Sequence, residues 1–246
     1  MTHAISSLEQ AWDDSHRNAY LHRLYTDPHA LPERCLKYAP PDALSPPGEE
    51  SPHLVLYRHI QLVPDDLVKV ASATLQQLVP DLYGLGIHIP SPPVMNLVFL
   101  QACDRLPGLE MGASFTMGTT MFLRPRSGDM FRTVVRHEGV HILQRLYPNV
   151  FEEYYARVYP GLRIVPRHHV QALFHQNPSL IDNPDCSFTD TTQYAFPSTD
   201  TMIVVFYDKT LSTIALDATT GAPLPDVIAS EYHHPHELIA SMLETS

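Results

Sequence analysis

Apolar side chains recur at helical spacing in several stretches of the chain, and alternate or run together in others. Residues 6 to 26 carry Leu8, Trp12, Ala19, Tyr20 and Leu24 and predict an amphipathic helix. Residues 39 to 52, "APPDALSPPGEESP", have no period and are rich in proline, which predicts a linker or extended loop. "HLVLYRHIQL" (53 to 62) reads as a strand. "PDDLVKVASATLQQL" (64 to 78) opens on a proline and two acids, as helix N-termini do, with Leu67, Val70, Ala71, Leu75 and Leu78 as its apolar stripe. "PVMNLVFLQ" (93 to 101) reads as a buried strand. "ASFTMGTTMFLRP" (113 to 125) reads as a strand with a bulge or tight hairpin at Gly118. A helix then starts near Ser127 and stops before Pro148.

Beyond that point, 149 to 157 and 165 to 175 have helical character. "TMIVVFYDK" (201 to 209) and "STIALDA" (212 to 218) predict a hairpin. "HPHELIASMLE" (234 to 244) predicts a last helix with Pro235 near its first position. The expected class is α+β: a mixed β-sheet with a backing helix, followed by a mostly helical lobe holding a β-hairpin. Residues 1–52 form an N-terminal arm in this reading. Residues 53–246 form the main domain, with an upper sheet lobe at 53–147 and a lower lobe at 148–246. There are no internal repeats.

Composition narrows the partners. With 16 Lys plus Arg against 27 Asp plus Glu, the net charge is -11. A field of that sign repels a phosphate backbone, and no basic run offsets it, so nucleic acid is not expected as a partner. A peptide or protein of neutral or basic character is easier to accommodate. No apolar run reaches the roughly 18–20 residues that span a bilayer, and the first twenty residues lack the basic and apolar regions of a signal peptide. A cytoplasmic location without membrane association is the expectation, and the oligomeric state is left open. Cys35, Cys103 and Cys186 are far apart and odd in number, which suggests neither a disulfide framework nor a thiolate metal site.

Of the fifteen histidines, most need no special role, and only their arrangement singles some out. "VVRHEGVHILQRLYP" (134 to 148) places His137 and His141 four apart, with Glu138 between them, inside an apolar helix. Residues i and i+4 differ by about 40° around a helix axis and roughly 6 Å along it, so two imidazoles can meet at one point. Zinc takes imidazole nitrogens at about 2.0–2.1 Å in a tetrahedral arrangement. Glu138 is turned about 100° from His137, which sets it beside such an ion rather than on it. Zinc lowers the pKa of a water it holds toward about 7, and a neighbouring carboxylate can take the proton. Met130, Phe131, Val134, Val135, Val140, Ile142, Leu143 and Leu146 suggest that the helix is largely buried, where three polar groups without partners would be costly. Gly139, poor in a helix by roughly 1 kcal/mol against alanine, suggests a close neighbouring backbone.

"HEGVH" on such a helix, preceded by the strand "TTMFLRP", resembles the zincin superfamily of metallopeptidases over about residues 54 to 146. The resemblance implies a zincin-like fold whose edge strand, here within 113–124, binds an extended peptide along the cleft. It implies His137 and His141 as zinc ligands and Glu138 as general base. One zincin subgroup adds a histidine six residues after the second, with a glycine midway. Those places hold Tyr147 and Gln144, so that subgroup is excluded. The gluzincin subgroup takes a glutamate from a later helix, and Glu237 in "HPHELIASMLE" fits, with Ser241 one turn on where an acid is common. The long gap between His141 and Glu237 implies a substantial insertion.

Asp185, Glu152 and Glu153 compete for the third ligand position, and His233, His234 and His236 crowd the same last segment. The gluzincin resemblance also implies a Tyr or His that stabilises an oxyanion; Tyr232 and His234, which closely precede Glu237, are the candidates, with Tyr232 preferred as catalytic. His168 and His169 read as structural or exposed. The functional expectation is therefore a Zn2+-dependent peptidase. Its rivals are a zincin-like binding protein with structural or absent zinc, and a zinc hydrolase of non-peptide substrates.

Overall fold

The computed structural model describes residues 2–4, 60–61, 63–100, 114–117, 119–177, 180–181, 193–208, 212–229 and 234–244. The helix expected at 6–26, the proline-rich stretch at 39–52 and the three cysteines lie outside the described residues. The chain divides into two compact units, Met1–Leu146 with Leu243–Ser246, and Tyr147–Met242.

In the first unit, the strands β1 (Thr2–Ala4), β2 (Ile60–Gln61), β3 (Met95–Leu100), β4 (Phe115–Met117) and β5 (Thr120–Leu123) form one mixed sheet. Its order is β1-β3-β5-β4, and β2 also pairs with β3. β1 and β5 run parallel to β3, the latter with Asn96 opposite Thr120 and Phe99 opposite Leu123. β4 turns back antiparallel on β5, Phe115 facing Phe122, so the expected 113–125 strand is a hairpin whose outer arm ends the sheet order. Leu97, Phe99, Met121, Phe122 and Leu123 are buried.

Helix α1 (Asp65–Gly84) begins with Asp65 and Asp66, which suit the positive end of a helix dipole. Ala71, Leu75, Leu78 and Leu82 are buried along one stripe, three to four residues apart, as an amphipathic helix requires. The helix passes through Pro80 and outlasts the expected end at residue 78. Proline removes one N–H bond to the carbonyl four residues earlier. Pro80 and Gln76 are both exposed, on the side where water can serve that carbonyl. Helix α2 (Gly128–Leu146) buries Phe131, Val135, Val140, Ile142 and Leu143. Phe131 meets Phe99 of β3 edge to face, with ring centres 6.1 Å apart. Met130 and Leu146, at its two ends, are exposed.

The second unit departs from a mostly helical lobe with one hairpin. It has an antiparallel sheet of five strands: β6 (Arg163–Val165), β7 (Leu180–Ile181), β8 (Gln193–Pro197), β9 (Met202–Asp208) and β10 (Thr213–Asp217). The order is β10-β9-β8-β6, with β7 also on β9. The hairpin expected at 201–218 is β9 and β10, with Thr213 opposite Tyr207 and Asp217 opposite Ile203. Val204 and Phe206 of β9 pack with Val165, Val170, Leu173 and Leu216. Ile203 and Val205 point the other way, to Ala215, Leu224 and Val227. Both faces are covered, which explains the unbroken apolar run in that strand. Helices α3 (Pro148–Val158) and α4 (Arg167–Gln176), with all but the last two residues of α5 (Pro235–Glu244), complete the unit. Both α3 and α5 begin with proline, whose missing N–H costs nothing at a first helical position.

Candidate functional site

Helix α2 brings His137 and His141 together. Their Nε2 atoms lie 3.0 Å apart, and the ring planes are 79° from each other with centres at 4.6 Å. Two nitrogens on one tetrahedral zinc, each at about 2.0–2.1 Å, stand about 3.3–3.4 Å apart. The pair therefore needs an opening of a few tenths of an ångström to hold an ion between its nitrogens. Imidazole is a donor that suits zinc. His141 is buried and His137 half-buried.

On the same helix, Glu138 is 3 % exposed. Gln144 is also buried, and its Oε1 lies 2.9 Å from Nδ1 of His141. Arg145, one turn beyond His141, donates from Nη2 to the hydroxyl of Thr116 on the end strand β4. Gly139 lies on the face toward α1. A Cβ placed there would stand 2.6 Å from Cδ2 of Leu75 and 3.1 Å from Cδ2 of Leu78. The close neighbours are thus side chains of α1, together with Met121 of β5, rather than the backbone that the sequence suggested.

In the second unit, Glu237 sits in the first turn of α5 and is buried. The positive end of the helix dipole favours its ionised form. His234 caps this helix, for its Nδ1 accepts the backbone N–H of His236 at 3.2 Å. The backbone N–H of Glu237 bonds to the His234 carbonyl at 2.9 Å. The rings of His234 and His236 pack against Tyr194 at 5.0 and 6.1 Å, and His236 also meets Tyr155 at 5.6 Å. A buried aromatic group thus fixes where α5 starts, and with it the backbone of Glu237.

The other candidates separate clearly. Glu152, Glu153, His168 and Ser241 are exposed, and His169 is half-buried. Tyr232, His233 and Asp185 lie outside the described residues. Gln144 is the site residue that motif reasoning passed over. Its signal was present in the i, i+3 spacing from His141, which places both on one side of a helix.

Compared with protein-family models, with curated proteins and with solved structures, the chain matches none. The functional reading therefore rests on the chain's own residues.

Proposed function

We propose that this chain is a zinc-dependent peptidase with a zincin-like arrangement of sheet and active-site helix. The observation that carries the reading is the convergence of the His137 and His141 Nε2 atoms on one helix, with buried Glu138 beside them. His137 and His141 each offer one imidazole nitrogen, and the resemblance to gluzincins supplies the Glu237 carboxylate as the third ligand. That set leaves one tetrahedral position for water or substrate, as catalytic zinc sites do. Zinc, when bound, supplies Lewis acidity toward the scissile carbonyl.

The chain's own groups supply the rest. Glu138 accepts a proton from the attacking water and returns it to the leaving amine. Strand β4 ends its sheet order, and an extended peptide laid along it would add main-chain hydrogen bonds. A net charge of -11 favours peptides of neutral or basic character. No helix among the described residues is long and apolar enough to cross a membrane.

The test is metal analysis of the purified protein, then digestion of a peptide library by the parent and by Glu138→Gln. The expected result is one zinc per chain in both, with cleavage by the parent only. Equal cleavage by Glu138→Gln, or no zinc uptake by the parent, overturns the reading.

A further inference from the structure

Nδ1 of His141 has a buried partner on its own helix. His141 and Gln144 are each 1 % exposed, so no bulk water competes for the contact between them. The amide oxygen of Gln144 faces Nδ1 of His141 at 2.9 Å. An oxygen there can only accept, so Nδ1 carries the proton and Nε2 of His141 keeps its lone pair. That lone pair faces Nε2 of His137 at 3.0 Å.

We infer that Gln144 is a positioning residue that holds His141 in the metal-ready tautomer. This rests on the zinc reading of the pair. His141 would then meet an ion with its Nε2 lone pair already in place. Ligand histidines are generally held through their other N–H by a carbonyl, carboxylate or water, and loss of that partner costs about 10–100-fold in metal affinity. Gln144 provides the contact from the same helix, at i+3.

The inference is tested on the full chain by imidazole 15N NMR and by zinc titration against a competing chelator. In the metal-free parent, His141 should show a protonated Nδ1. With zinc added, His141 should keep its proton on the same nitrogen. Gln144→Leu keeps the volume and removes the acceptor. It should lose the single His141 tautomer and weaken zinc binding about 10–100-fold. Gln144→Glu keeps an acceptor and should stay within a few-fold of the parent. A parent with a protonated Nε2 on His141 overturns the inference without any variant. So does a Gln144→Leu protein that binds zinc as tightly as the parent. A parent that takes up no zinc sinks the metal reading itself. In that case the metal-free spectrum still decides whether Gln144 sets the tautomer.

Discussion

Arg136 donates from Nη2 to the Oδ2 of Asp81 at 2.5 Å, and thereby joins α2 to α1 one residue before the first histidine of the pair. The Arg136 side chain is 6 % exposed and also donates through Nε to the Leu243 carbonyl at 2.5 Å. Burial by itself would raise the pKa of Asp81, but hydrogen bonds from Arg136 and Gln77 outweigh it, and the net shift is downward. A carboxyl whose folded pKa is depressed contributes stability above its unfolded value and loses it as pH falls through the folded one. Asp81→Ala removes the acceptor and leaves a buried guanidinium without that partner. The cost of breaking a buried pair is reduced here because Asp81 is about a fifth exposed. It should come to about 2 kcal/mol in urea unfolding at neutral pH, and shrink in acid.

Gly139→Ala sets two effects against each other. Alanine improves helix propensity by about 1 kcal/mol. Its Cβ would meet Leu75 at 2.6 Å, and overpacking a core costs about 1–3 kcal/mol. Leu78 behind it is fully buried and has little room to yield. Thermal melts should therefore show a net loss. Truncating the neighbour removes the clash, so adding Gly139→Ala should cost less in a Leu75→Ala background than in the parent. A double-mutant cycle measures this coupling directly.

Zinc should stabilise the protein by mass action, by about 2.7 kcal/mol at a free concentration one hundred times the dissociation constant. His137→Ala and His141→Ala should each abolish the rise in melting temperature. Glu138→Gln should keep the rise while cleavage falls about 10²–10⁴-fold, the span typical of a lost general base. Removing zinc with a chelator should reverse both the stabilisation and the cleavage.

Asp217 ends β10 in a turn. Its Oδ1 accepts the backbone N–H groups of Thr219 and Thr220 at 2.8 and 2.7 Å, and its Oδ2 accepts the hydroxyl of Thr201. The Thr201 hydroxyl first, then the backbone of Thr220, holds its pKa down to about 2 from an ordinary 3.8. The stabilisation is whole above about pH 4 and fades as pH falls through about 2. Asp217→Ala should cost about 1–2 kcal/mol at neutral pH, allowing for partial exposure. Urea unfolding at pH 5.5 and pH 2.5 should show a smaller difference for the variant than for the parent.

The elements legible in the sequence are those with a strong period. In α1 and α2 the buried residues fall where the spacing puts them, and β9 with β10 forms the expected hairpin. Strands β6 to β8 were missed for physical reasons. β6 is three residues long with only Val165 buried. β8 buries Gln193 through Phe196 without alternation, a pattern that does not separate strand from loop. Helix α1 runs past its expected end at residue 78, because an exposed proline at 80 leaves a helix free to continue. At the site, the i, i+4 spacing of His137 and His141 was enough to propose their convergence. Gln144 was noticed only as the absence of a glycine. The Arg136–Asp81 pair and the rings around His236 join residues far apart in sequence, and no local pattern announces them.

The missing side chain at Gly139 has a consequence for anyone wishing to adjust the imidazole pair from a distance. The seat of α2 at this turn is set by the methyl tips of Leu75 and Leu78. Exchanging either leucine for a β-branched or slimmer residue would nudge the rod that bears both rings, leaving their chemistry untouched. The back of the helix thus serves as a tuning screw for its front.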